Sequence, residues 1–458
     1  MRKILAVLCL SFALISSGCQ SGEKKLEQSE SVLPSTEIVS EITEKTESTI
    51  IEKPEPPSEE TDLYETDEYI SRSITSTEFS SLRDSFSMLC YANPAITALT
   101  RDGNVVTWGF GYKGTIGNGI IPKDDDPDLF RKFTPYLIDF SEEIVSVGND
   151  SSMAYALTDS GDVFVWGDNS FGECGMESCV IPRPQKLKIA EKIEKVSIGT
   201  GATWVFLTKN GRILVSGIDI LTFERLEDLQ ENIAFERDIT VSDEYTPIMT
   251  AEPGYTETEL PFRCKDIACG LMNYAVLSEE GEVYVLGTLI GDYDRRTENL
   301  IHRELYKIEF PEKITEIESG SNFIVALSES GKVYLYGKQE GIFFDETRDA
   351  ELSENLFLKG ALEDITSVKC HQYCVLAIDR NGDLWGFGID QWGALDIQNA
   401  DMDTSTYEII RHPRKMDYSD VIFCDADTEQ SVILMKNGQY YVQGASSRHL
   451  NDPFDESS

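Results

Sequence analysis

Cys174 and Cys179 enclose the short loop Cys-Gly-Met-Glu-Ser-Cys. At that spacing two thiols can close a local disulfide in an oxidising compartment. Cys90, Cys269, Cys370 and Cys424 fall twelve to fourteen residues before recurrent glycines. This near-equivalent position predicts buried thiols standing in for small core residues. His302, His371, His412 and His449 stand singly, without the paired spacing of a zinc site. The run from Lys123 to Asp128 clusters carboxylates, but it lacks the alternating ligands of a calcium loop and reads as a solvated connection. The sequence has no Gly-x-Ser-x-Gly elbow and no phosphate-cradling glycine-rich helix start. It therefore nominates no catalytic residue, no metal and no cofactor, and the expectation is a chain that is not an enzyme.

The elements that hold these residues announce themselves by repetition. Turn glycines occur at Gly103, Gly161, Gly211, Gly281, Gly331, Gly382 and Gly438, each followed six residues later by another glycine, from Gly109 to Gly444. Four residues before each turn glycine stands Leu99, Leu157, Leu207, Leu277, Leu327, Ile378 or Leu434. Pairs such as Asp-Ser and Lys-Asn ahead of the glycine are tight hairpin chemistry. Each hairpin has a strand before it, as at Glu143 to Val147, and a further run upstream, as at Pro135 to Phe140. Four strands repeated seven times predict an all-β, seven-bladed β-propeller over residues 68–450, with a tail at 451–458. The copies begin and end unevenly, so a noncontiguous strand is needed for closure. Glu68 to Ile74 is the candidate, in the last blade or the adjacent first one, with Ile70 and Ile74 on one face. Ile218 to Phe262 is the longest interval between copies, a candidate recognition insertion.

The N-terminus carries Arg2 and Lys3, then an apolar run from Ile4 to Ile15, too short to be a permanent membrane span. Residues 1–18 read as an export signal. The sequence Ile15-Ser-Ser-Gly-Cys19 resembles the lipobox of bacterial lipoproteins, which implies cleavage before Cys19 and lipidation of its thiol. Residues 19–67 form a Ser/Thr/Glu/Pro-rich stretch, expected to be a disordered, self-repelling tether. The formal net charge of −41 argues against nucleic acid, which is bound through Lys and Arg footprints, and favours basic partners or cations.

The stretches ALTDSGDVFVWGDNSFGECG, ALTRDGNVVTWGFGYKGTIGNG and AIDRNGDLWGFGIDQWGALD resemble the regulator of chromosome condensation repeat. Trp108-Gly109 and Trp166-Gly167 keep its Trp-Gly pair, and the loop that follows is kept in copies one, two and six. The resemblance covers about Asp84 to Gly444 and implies a propeller of that type. In the family, a eukaryotic branch exchanges nucleotide on a small nuclear GTPase and binds chromatin, whereas a bacterial secreted branch includes a β-lactamase inhibitor. With the export signal, the expectation is a membrane-anchored bacterial lipoprotein facing outside the cytoplasm, its monomeric head a platform for an unidentified protein partner. The alternatives are a carbohydrate-binding protein, a hydrolase or lyase acting on envelope polymers, and a secreted-type enzyme inhibitor.

Overall fold

The computed structural model describes residues 63–454, except 93–94, 122–133, 150–152, 200–201, 219–220, 222–251, 272, 290–301, 322, 338–356, 372–373, 392, 396–406, 427–429, 445–447 and 452. Cys19, the tether, the Lys123 to Asp128 run and most of the Ile218 to Phe262 insertion lie outside the described residues.

Seven antiparallel sheets form the blades of a β-propeller. Their innermost strands are Phe86–Ala92, Ile144–Asn149, Ile193–Gly199, Cys264–Cys269, Ile314–Ser319, Ile365–His371 and Val421–Ala426. Each pairs with a completely or almost completely buried second strand, such as Met153–Thr158 in blade 2 or Phe323–Ser328 in blade 5. The repeated leucines lie on these second strands and pack into the core, with Leu157 at 2% exposure and Leu277 at 0%.

The turn glycines perform two tasks at once. Gly161 has φ of +94°, which L side chains seldom adopt, and a Cβ there would lie 2.8 Å from the Ile193 carbonyl oxygen of the next blade. Its own carbonyl accepts from Ile193 N–H at 2.9 Å. The hairpin tip of each blade thus abuts the start of its neighbour, and the pattern continues across the seam, where Gly438 faces Asp84 of blade 1.

The phase of the repeat differs from the sequence expectation. Tyr136–Phe140 is the outer strand of blade 1, paired with Val105–Gly109, and does not open blade 2. Each blade is therefore one contiguous piece of chain. Strand β1 (Tyr64–Glu65) and strand β2 (Tyr69–Ser73) extend blade 1 to six strands, with β2 antiparallel to Tyr136–Phe140. The closing candidate thus pairs in the first blade, the second of its two expected places. Its buried face is Tyr69 and Ser71, with Ile74 buried just beyond the strand and Ile70 half-exposed.

Blade 7 has three strands among the described residues, ending at Tyr440–Gly444. In place of a fourth, Asn451 uses its side-chain amide as a peptide unit. Val442 N–H donates to Asn451 Oδ1 at 2.8 Å, and Asn451 Nδ2 donates to the Val442 carbonyl at 2.9 Å. The short helix Arg448–Asn451 and the capped helix α1 (Ser76–Arg83) flank the seam, where Phe79 packs edge-on against Trp108 at 5.2 Å and meets Phe454 at 5.8 Å.

Candidate functional site

Every innermost strand carries a ladder irregularity at one place, which brings Met88, Ser146, Lys195, Asp266, Glu316, Ser367 and Phe423 into register. Two residues on, on the same strand face, stand Cys90, Gly148, Ser197, Ala268, Glu318, Lys369 and Asp425. This register corrects the expected cysteine equivalence. Cys90 shares its place with Glu318 and Lys369, Cys424 sits one residue earlier, and Cys269 and Cys370 sit one residue later. From this register position to the turn glycine the distance is fifteen residues in all four of these blades, so places twelve to fourteen residues before the glycine fall on both strand faces.

Charged members of these two rings stitch one blade to the next. Lys195 Nζ lies 2.5 Å from Asp266 Oδ1, and Asp266 Oδ2 accepts from Ile317 N–H of blade 5 at 3.2 Å. Lys369 pairs with Glu318, while Glu316 Oε1 accepts from Val368 N–H at 3.4 Å. Burial pushes the Glu316 carboxyl up from its ordinary range, opposed by Lys369 and reinforced by Glu318. Burial alone would lower the Lys369 ammonium, but Glu318 and Glu316 outweigh it and hold it well above its ordinary range. These contacts are inter-blade adhesion. The sequence hid them because Ile-Thr-Glu-Ile-Glu-Ser, with polar residues between two isoleucines, reads equally well as a solvated edge strand.

A second inter-blade device is built from the loops after Gly109, Gly167, Gly388 and Gly444. The carbonyl six residues past the glycine accepts a side-chain bond from the next blade. Thr115 O takes Trp166 Nε1 at 3.0 Å, Glu173 O takes Ser216 Oγ at 2.6 Å, and Ala394 O takes Ser431 Oγ at 2.6 Å. Leu450 O takes Trp108 Nε1 at 3.0 Å. The seventh copy, whose loop looked eroded in sequence, therefore makes the same clasp and closes the ring.

The expected thiols and imidazoles are dispersed. Cys90 Sγ donates to Val147 O at 3.4 Å and Cys264 Sγ to Asp266 O at 3.1 Å. Burial pushes the Cys90, Cys370 and Cys424 thiols up. Cys174 is buried and Cys179 exposed, both as free thiols. His302 lies in blade 4, stacked on Tyr306 at 4.1 Å and lowered by burial. His371 and His412 lie on the inner and outer strands of blade 6, and the His449 side chain is outside the described residues.

On the rim, blades 1 and 2 present a different surface. Leu63, Tyr64, Ile120 and Ile121 are exposed, with Leu63 at 60% and Ile121 at 48%. Arg183 lies over the Tyr64 ring, 3.7 Å from its centroid, and packs against Gly119, where a Cβ would collide with the guanidinium. The Gly119 N–H donates to Pro182 O at 2.8 Å, fixing this loop on blade 2. Tyr64 in turn leans on Tyr69 at 6.0 Å, whose hydroxyl is pushed up to about 12 by burial and by the neighbouring Tyr64. An arginine sandwiched beside an aromatic ring and bordered by exposed aliphatics is the composition of a protein-binding anchor.

With this geometry in place, likeness to known proteins is informative. Models of the regulator of chromosome condensation (RCC1) repeat match residues 160–205 and 144–173. The chain carries these repeats on a seven-bladed propeller. It is 24% identical over 257 residues to the human E3 ubiquitin-protein ligase HERC2, covering 55% of this chain and 5% of that protein. It is 23% identical over 327 residues to the Xenopus laevis regulator of chromosome condensation, covering 66% and 71% respectively. The crystal structure of human WBSCR16 superposes with a TM-score of 0.56 at 15% identity, over 80% of this chain and 89% of that one, which supports the fold alone. Among the described residues, no helix is long and apolar enough to cross a membrane.

Proposed function

We propose that this protein is an extracytoplasmic bacterial lipoprotein, anchored through Cys19, whose propeller binds another protein at the rim of blades 1 and 2. The observation that carries the reading is the exposed group Leu63, Tyr64, Ile120 and Ile121 around Arg183. The acid excess of the chain favours a partner with a basic surround to its apolar anchor. Carboxylates that converge at the inner strands are already engaged by Lys195, Lys369 and backbone N–H groups, so they serve the ring's own cohesion.

Two experiments test the reading. A soluble head of residues 61–458 should capture a partner from envelope protein, and capture should fall at least tenfold in the double variant Tyr64→Ala, Ile121→Glu with the fold intact by circular dichroism. Polysaccharide binding on a glycan array without protein capture overturns the platform. Cys19→Ser should release the full chain from membranes or leave an unprocessed precursor, and normal processing with retained membrane association refutes the anchor.

A further inference from the structure

Asn169 gathers the loop that contains both Cys174 and Cys179. Its Oδ1 accepts from Cys174 N–H at 3.1 Å, and its Nδ2 donates to Glu177 O at 3.0 Å. Cys179 is the ladder partner of Asn169 at the start of Cys179–Lys186, which sets it beside the same residue. Asn169 thus draws the two ends of a six-residue segment together. The segment is also a clasp onto blade 3, because Glu173 O accepts from Ser216 Oγ, Cys174 O from Tyr255 Oη at 3.0 Å and Gly175 O from Gly254 N–H at 3.0 Å.

We propose that Cys174 and Cys179 are a thiol–disulfide site that locks the blade 2 to blade 3 clasp when oxidised. The oxidant is a low-molecular-weight organic disulfide or a protein disulfide of the extracytoplasmic compartment. Exposed Cys179 loses its proton and attacks one sulfur of that disulfide, releasing the first thiolate. Cys174 then loses its proton and attacks the Cys179 sulfur of the mixed disulfide, releasing the second. Two protein thiols become one S–S bond, and the oxidant leaves as two thiols carrying the two protons. Burial pushes the Cys174 thiol up to about 12 and also raises Cys179, so both displacements quicken as pH rises and more thiolate forms. The lock rests on the proposed extracytoplasmic placement and not on the binding partner.

The test uses the full chain treated with oxidised glutathione, then alkylated without reduction and digested with trypsin. Cleavage after Lys132 and Lys186 gives a peptide in which these are the only cysteines. The expected product is that peptide unalkylated and lighter by two hydrogens, in a protein whose melting midpoint is raised by about 2–5 °C. Cys179→Ser, which removes an exposed group and leaves the fold intact, should abolish both changes. A peptide alkylated at both cysteines, or one that keeps glutathione on Cys179 without closing, overturns the proposal.

Discussion

Glu316, on the inner strand of blade 5, ties stability to pH. The Glu316 carboxyl has a folded pKa raised above its unfolded value by burial, so its ionised form is penalised in the folded state. That penalty is full at neutral pH, shrinks as pH falls through the raised folded value and vanishes below the unfolded one. Glu316→Gln keeps an acceptor for Val368 N–H and should therefore unfold at higher urea than the parent at pH 7.5, with the two midpoints converging near pH 4. A lower midpoint for the variant at neutral pH would mean that attraction to Lys369 outweighs burial. The glycines give a second contrast at this scale. Gly161 combines positive φ with a neighbouring backbone, whereas Gly254 has φ of +137° and nothing within 4 Å of its missing Cβ. Gly161→Ala should cost about 2–4 kcal/mol and Gly254→Ala about 1 kcal/mol by urea titration, since only the first adds a collision to backbone strain.

Elements show how far the sequence could be read. The hairpins were legible because positive φ at the tips demands glycine, and the blade core was legible because the leucines keep a fixed distance from those glycines. The phase of the blades was not, since Tyr136–Phe140 is a half-buried alternating strand that fits the outer edge of one blade as well as the start of the next. The rim anchor escaped for a similar reason, because Tyr64 and Ile121 are far apart in sequence and only pairing of β1 and β2 on blade 1 brings the first beside Arg183. Helix α1 offers a local test. Thr75 and Glu78 form a capping box, and the Thr75 N–H together with Arg72 holds the Glu78 carboxyl down to about 2. A depressed carboxylate stabilises above its unfolded pKa and loses that contribution as pH falls through the folded value. Glu78→Ala should cost less than about 1 kcal/mol at neutral pH, given the exposure of the pair, and only a small remainder near pH 2, where the carboxyl is still partly ionised. Equal destabilisation at both pH values would assign the effect to packing.

For the whole ring, the seam between blades 7 and 1 is the decisive interface. Leu450 O, Asn451 and Phe454 bring the C-terminal segment onto Trp108, Val442 and Phe79, so loss of that segment removes the clasp between blades 7 and 1 and uncovers the edge of blade 7. Truncation after Gly444 should lower the melting midpoint sharply and broaden the transition. Removal through Thr75 strips β1 and β2 and leaves blade 1 with four strands, so its cost should be the smaller of the two. A reversed order would place ring closure at the N-terminal strands.

The attachment of β1 and β2 on the outside of blade 1 also decides how the molecule meets mechanical load. Tension applied ahead of Leu63 enters a two-residue strand and then a five-residue strand, both on the outer edge of a sheet whose four inner strands already complete the blade. Peeled from the sheet edge, such strands should come away one hydrogen-bonded pair at a time, which pulling single molecules from the N-terminus would show as a short extension before the ring opens. On that expectation the two outer strands act as a fuse in series with the propeller, releasing the span of β1 and β2 before the load reaches the clasps and the seam.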